Sequence, residues 1–112
     1  MDHDVIVIGA GAAGEAAGTE GGQFGARVAV VERDLVGGEC AFWACLPSKA
    51  LLDSAGRRAL GFVYPWPRAS ARRDWMISRE DIPYPDDAGH VTALESAGAE
   101  VIRASARVTG PG

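Results

Sequence analysis

The chain has 112 residues, 47% of them apolar and 23% charged, with 11 basic against 15 acidic side chains and a formal net charge of −4. This is the composition of one small globular domain, not of a disordered or fibrous chain. Its acidity, with a pI near 5.0, argues against nucleic-acid or anionic-membrane partners, both of which want a basic face.

The apolar run VIVIGAGAAG follows acidic Asp2 and Asp4. It lacks the basic start of a signal peptide and is shorter than the ~20 apolar residues of a membrane span. The expected location is cytoplasmic, where a persistent structural disulfide is unusual. Within that run, Val5–Ile8 is short, β-branched and fully apolar, the pattern of a strand buried on both faces. Residues 12–24 follow as a helix, weakened by Gly18, Gly21 and Gly22 at roughly 1 kcal/mol each against alanine. Gly25 stops it, and RVAVV at 27–31 is a second buried strand. Strand, glycine turn, helix and strand make a βαβ unit, with parallel pairing and a right-handed crossover.

Residues 48–60 suit a helix whose stripe is Ala50, Leu51, Leu52, Ala55 and Ala59. Beyond it, Pro65, Pro67, Pro83 and Pro85 are interleaved with Tyr64, Trp66, Trp75 and Tyr84. Prolines at that density are expected to exclude long regular elements, except a short helix around 71–78. The aromatic residues are read as anchors of an irregular loop, in preference to a stacking platform for nucleotides. Arg57, Arg58, Arg68, Arg72 and Arg73 cluster, but Asp74, Glu80 and Asp81 follow, so the surface is mixed in charge. Asp86 or Asp87 can cap a helix running to about Ala97. Gly98 closes it, residues 100–102 read as a third strand, and 107–109 as the start of another extended piece.

Two motifs carry chemistry. Gly9-Ala10-Gly11-Ala12-Ala13-Gly14 matches G-x-G-x-x-G, follows a strand and opens a helix, and Glu32 ends the next strand at close to the ~20-residue spacing of a dinucleotide fingerprint. Gly9 permits the tight turn, Gly11 lets the backbone approach a pyrophosphate, and Gly14 lets helix and strand pack closely. The helix N-terminus offers N–H donors and partial positive charge to phosphate. Glu32 would accept from a ribose 2′-hydroxyl and repel a 2′-phosphate. The fingerprint alone does not separate FAD from NAD.

The second motif is GGECAFWACLPSK at 37–49, which holds both cysteines, Cys40 and Cys45. Three readings compete: a structural staple, a metal clip and a redox pair. On a regular helix the two Cα atoms would stand roughly 8–9 Å apart, beyond the about 7 Å a disulfide tolerates. A bond between them therefore requires the backbone to leave helical form. As a staple it would close a six-residue ring worth roughly 2 kcal/mol. For zinc, His3 and His90 are single, far apart and read as exposed polar residues, so no paired-ligand pattern forms; no metal site is expected. The redox reading accounts for more neighbours: Gly37 and Gly38 allow an irregular approach, Pro47 suits the first turn of a helix, and Lys49 adds a positive charge.

GGECAFWACLPSKALL, read with the fingerprint and Glu32 upstream, resembles the G-G-x-C-x4-C-x-P-S-K region of the FAD-dependent pyridine nucleotide–disulfide oxidoreductases. That family includes dihydrolipoamide dehydrogenase, glutathione reductase and mercuric reductase. The tail AGAEVIRASARVTGPG is similar, more loosely, to the family's next strand. The resemblance implies an α/β fold: an incomplete Rossmann-like βαβ FAD-binding domain with a parallel sheet, residues 1–112 being its N-terminal part. It implies FAD as cofactor, held by Gly9, Gly11, Ala12, Ala13 and Gly14 with Glu32 and Arg33 at the adenosine half. Gly38, Cys45 and Lys49 would complete the set.

By the same resemblance Cys40 is the interchange thiol, Cys45 the charge-transfer thiol beside the flavin, and Lys49 the lysine near flavin N5. Electrons would pass between NAD(P)H, FAD, the cysteine pair and a small-molecule disulfide, quinone or metal-ion substrate. The family is homodimeric. Its NAD(P)H domain and its dimerisation domain, which carries a catalytic histidine–glutamate pair, have no counterpart in these residues. The expectation is therefore an incomplete FAD half-site with an intact thiol pair and unpaired edge strands, or alternatively a non-catalytic FAD- or dithiol-binding fragment. Phe42 and Trp43 replace the small polar pair common between the cysteines, which would alter what can approach Cys40.

Overall fold

β-Branched runs separated by one glycine turn produce the expected βαβ start. In chain order the elements are β1 (Val5–Ile8), α1 (Ala12–Gln23), β2 (Val28–Glu32), α2 (Gly38–Phe42), α3 (Cys45–Ala59), α4 (Trp66–Ser78), α5 (Ala88–Ser96) and β3 (Ala99–Arg103). This computed structural model describes residues 2–78 and 85–111. Expectations placed on Glu80, Asp81, Pro83 and Tyr84 lie outside the described residues.

The chain divides into two units, Met1–Gly38 with Asp87–Gly112, and Glu39–Asp86. The first is an α/β unit built on a three-stranded sheet of order β1-β2-β3. Both pairings are parallel, with Val5 opposite Val28 and Ile8 opposite Val31, then Val28 opposite Ala99 and Glu32 opposite Arg103. Its core gathers Ala10, Val28, Val30, Val36, Leu94 and Ala99, with Val7, Ala26, Val91 and Val101 packed on it.

The α1 glycines serve that packing. A Cβ at Gly18 would sit 2.7 Å from a Val30 methyl, one at Gly21 2.8 Å from a Val28 methyl, and one at Gly22 would strike the Ala97 carbonyl. The intrinsic penalty of about 1 kcal/mol per glycine is offset by letting the helix lie directly on β2 and on the turn before β3.

Four expectations change. β1 is an edge strand, not one buried on both faces: Ile6 is 62% and Ile8 56% exposed. Period two places these residues on one face and Val7, which joins the core, on the other. The third helix begins at Cys45, three residues before the expected start, because Pro47 falls in its first turn, where a missing N–H leaves no bond unmade. The same physics overturns the reading of the proline-rich stretch. α4 is a 13-residue helix starting at Trp66; Pro67 lies in its first turn, and the Pro65 carbonyl accepts from the amides of Arg68 (3.0 Å) and Ala69 (3.1 Å). Finally, residues 107–109 form no strand.

In the second unit α3 packs on α4. Ala50, Ser54 and Ala69 are buried, and the Ser54 hydroxyl donates to the Ala50 carbonyl at 2.9 Å. Asp53 joins the helices by accepting from Arg57 at 2.9 Å and lying 3.2 Å from Arg72. Arg68 stacks over Tyr64 with 4.4 Å to the ring centre, so Tyr64 ties the loop to α4, whereas Trp66 and Trp75 are 62% and 53% exposed.

Candidate functional site

The glycine fingerprint forms the turn from β1 into α1. Gly9 has φ +95°, and its amide donates to the Val31 carbonyl at 2.8 Å. Sites for a Cβ on Gly9 and Gly11 have no neighbour within 4 Å, whereas a Cβ on Gly14 would run into the Gly9 carbonyl. Gly14 is thus small for packing, and Gly9 and Gly11 leave the backbone open above the turn. The first-turn amides of α1, Ala12 to Gly14, have no intrahelical acceptor and point out of the helix start. The first intrahelical bond runs from the Glu15 amide to the Gly11 carbonyl at 2.8 Å. This open cradle fits a pyrophosphate.

Glu32 stands at the end of β2, with one carboxylate oxygen accepting from the Ala10 amide at 2.7 Å and the other from the Asp34 amide at 2.8 Å. Burial pushes its pKa up, but the backbone amides of Ala10, Asp34 and Arg33 outweigh this and hold it below the ordinary glutamate value. The group is ionised at neutral pH. With three backbone amides on the carboxylate, acceptor capacity remains for a ribose hydroxyl. Arg33 is exposed beside it. The same unit brings in the glycine pair: the Gly37 amide donates to the Ala10 carbonyl at 2.7 Å, and a Cβ on Gly38 would lie 2.8 Å from the Gly11 Cα.

Cys40 and Cys45 belong to the second unit and are joined in a disulfide, with 4.6 Å between their Cα atoms. This proximity requires the expected departure from helical form. α2 ends at Phe42, Ala44 takes φ −126° and ψ −89°, and α3 begins at Cys45. The amides of Trp43 and Ala44 both donate to the Glu39 carbonyl at 2.7 Å, folding the intervening turn back on α2. Both cysteines are exposed. Cys45 is the first residue of a 15-residue helix with no acidic side chain in its first turn, a position that stabilises a thiolate. Lys49 is four residues on, on the same helix face, and exposed. Of the aromatic pair between the cysteines, Phe42 is buried and only Trp43 is presented to solvent.

Both histidines are part-exposed and paired with a carboxylate. His3 bonds Glu100 at 2.8 Å with its side chain only 12% exposed. His90 bonds Glu15 at 2.6 Å, and its ring lies 3.0 Å from where a Gly37 Cβ would stand. Asp87 occupies the N-cap position of α5 but makes no cap bond. Its carboxylate accepts instead from the Val36 amide at 2.8 Å and from Arg103 at 2.7 Å. Glu15 could have been suspected from its place just behind the fingerprint; the sequence marks Asp87 only as a helix cap and His90 only as a lone polar residue, and it does not mark Arg103.

Residues 3–110 match the family model described as pyridine nucleotide-disulphide oxidoreductase. The chain belongs to that family. The glutathione reductase of Nostoc sp. is 35% identical over 108 residues, 91% of this chain and 24% of the relative. The dihydrolipoyl dehydrogenase of Rhizobium etli is 49% identical over 53 residues, 47% of this chain and 11% of that protein. Among solved structures, the Cu(II) complex of the HOCl-induced flavoprotein disulfide reductase RclA of Escherichia coli superposes with a TM-score of 0.74. At 23% identity, covering 91% of this chain and 21% of that one, it bears on the fold alone. This pyridine nucleotide-disulphide oxidoreductase chain therefore spans about a quarter of the glutathione reductase it matches. Among the described residues, no helix is long and apolar enough to cross a membrane.

Proposed function

We propose that this chain is the N-terminal part of the FAD-binding domain of an oxidoreductase that passes electrons between NAD(P)H, FAD and a substrate through the Cys40–Cys45 pair. The observation that carries the reading is the exposed disulfide whose second cysteine opens a long helix, in a chain that also builds an open glycine cradle with an ionised glutamate beside it. Bound FAD would supply a two-electron carrier able to exchange with both nicotinamide and disulfide. The first-turn amides of α1 would bind its pyrophosphate, Glu32 its ribose and Arg33 the adenosine surface, with Gly38 keeping the adjoining turn close. Reduction of the disulfide takes two electrons and one proton and leaves Cys40 as a thiol and Cys45 as a thiolate; the second proton is taken up from water when the second substrate sulfur is released. Cys45 at the start of α3, with Lys49 one turn on, would be held as the thiolate that exchanges electrons with a bound flavin. Cys40 attacks a substrate disulfide to form a mixed disulfide and releases one thiol. Cys45 then attacks the Cys40 sulfur, releases the second thiol and restores the pair.

The substrate class is a small-molecule disulfide, with a quinone or metal ion as the alternative electron acceptor. The setting is the cytoplasm, where reductant keeps such a pair cycling, and the complete enzyme is a homodimer. An absorbance titration of the protein with FAD and then dithiothreitol tests this. The expected result is flavin binding and a long-wavelength thiolate-to-flavin band on reduction, lost in Cys45→Ser and retained in Cys40→Ser. Flavin binding with no such band leaves the non-catalytic binding alternative; no flavin binding overturns the cofactor assignment.

A further inference from the structure

The loop at 33–38, between β2 and α2, connects the proposed adenosine acid Glu32 to the glycine pair in front of the cysteines. Its own bonds are mostly local: Glu32 with the Asp34 amide, the Gly38 amide with the Leu35 carbonyl at 3.1 Å, and the Gly37 amide with the Ala10 carbonyl. Two side chains from far along the sequence also hold it, both within the first unit. Arg103, the last residue of β3, donates from Nη1 to the Asp34 carbonyl at 2.7 Å and to the Asp87 carboxylate at 2.7 Å. Asp87 in turn accepts from the Val36 amide at 2.8 Å.

The pair is exposed on one side only: the Arg103 side chain is 47% exposed, but the Asp87 side chain is 14% exposed and Val36, which it holds, is fully buried in the core. Arg103 also faces Glu32 electrostatically, as Arg33 does, and so opposes the negative charge of both Glu32 and Asp87. A strand end and a helix start thus grip the loop at two successive backbone groups, one carbonyl and one amide. Neither Asp87 nor Arg103 belongs to the glycine cradle or to the cysteine segment.

We infer that Asp87 and Arg103 are positioning residues for the adenosine end of the flavin site, acting through the 33–38 loop that they fix beside Glu32. The inference rests on the FAD reading above and deepens it. Without Arg103 the Asp34 carbonyl loses its side-chain donor and the Asp87 carboxylate its cation. Both changes loosen the backbone that orients Glu32 and, through Gly37, the Ala10 peptide.

The test has two readouts. The first is hydrogen exchange of the parent and Arg103→Met without flavin. Protection at the Val36, Asp34 and Ala10 amides is expected to drop at least about tenfold in the variant; unchanged protection overturns the clamp. The second is the FAD dissociation constant, taken well below the melting temperature. Arg103→Met is expected to weaken binding by roughly tenfold, the scale of one lost charge-assisted hydrogen bond. Arg103→Lys, which keeps a cation with donors for both acceptors, recovers most of it. Val28→Ala, at the opposite end of β2, loses stability but keeps the parent's affinity. Parental affinity in Arg103→Met overturns the positioning role even if exchange quickens. A parent that binds no FAD removes the flavin reading and this inference with it, while the exchange result still reports separately whether the clamp exists.

Discussion

Asp87 stands where its sequence position would assign a helix cap, but its carboxylate makes no cap bond and accepts instead from the Val36 amide and Arg103. Its pKa reflects that choice: burial pushes it up, and the Arg103 bond and Val36 amide hold it below the usual aspartate value. Glu32 is depressed for a similar reason, and Asp4 is held at about 2, chiefly by its side-chain bond to Arg27. A folded pKa below the unfolded value, about 3.9 for aspartate and 4.3 for glutamate, means stability that is fully present above those values. It is lost as pH falls through the folded pKa. Thermal melts between about pH 6 and pH 2 should therefore show a melting temperature that falls on acidification. Asp87→Asn should lower it at pH 6 and flatten the acid limb; an unaltered limb would remove Asp87 from the account. Asp4, fully exposed, adds little to the total because its pair with Arg27 is screened.

At the scale of the element, glycines of one composition play opposite parts. In α1 a Cβ at Gly22 meets the Ala97 carbonyl, and a backbone atom there cannot step aside as a side chain could. Gly22→Ala is expected to destabilise by about 1–3 kcal/mol through overpacking. Gly56 lies inside α3 with no atom within 4 Å of a built Cβ. Gly56→Ala should stabilise by up to about 1 kcal/mol, from helix propensity and a less flexible unfolded chain. Paired denaturant titrations check both, and the same sign for the two would contradict the packing described. The prolines teach the same lesson about position. Pro47 lies in a first turn as its sequence suggests, and Pro67, which looks like a breaker in sequence, does the same, where no donor is needed; counting prolines without locating the helix start misplaces α4.

Across the whole molecule, β1 is the exposed liability. It forms one outer edge of the sheet, with unpaired backbone on one side and Ile6 and Ile8 open to solvent. Such an edge recruits other strands. The double variant Ile6→Thr with Ile8→Thr should reduce self-association in concentration-dependent light scattering while leaving the helix content unchanged. Equal scattering would place the sticky surface elsewhere, with Phe62 and Val63 before α4 as the next exposed apolar pair.

The βαβ order, the glycine turn, Glu32 and the position of both cysteines were legible in the sequence because each depends on local chain geometry. A φ of +95° at Gly9 needs glycine, β-branched runs extend, and a cysteine spacing of five cannot close on a continuous helix. What only the tertiary structure decided is everything that joins distant positions. Gly18, Gly21 and Gly22 are contact surfaces where the sequence reads only weakness in a helix. β1 is an edge because the strand order puts β2 between its neighbours, and pairing order leaves no mark in a four-residue apolar run. Asp87, Arg103, Glu15 and His90 find partners 51 to 75 residues away. A hydrogen bond across that separation depends on where two backbones meet, and no periodicity in either segment encodes the meeting.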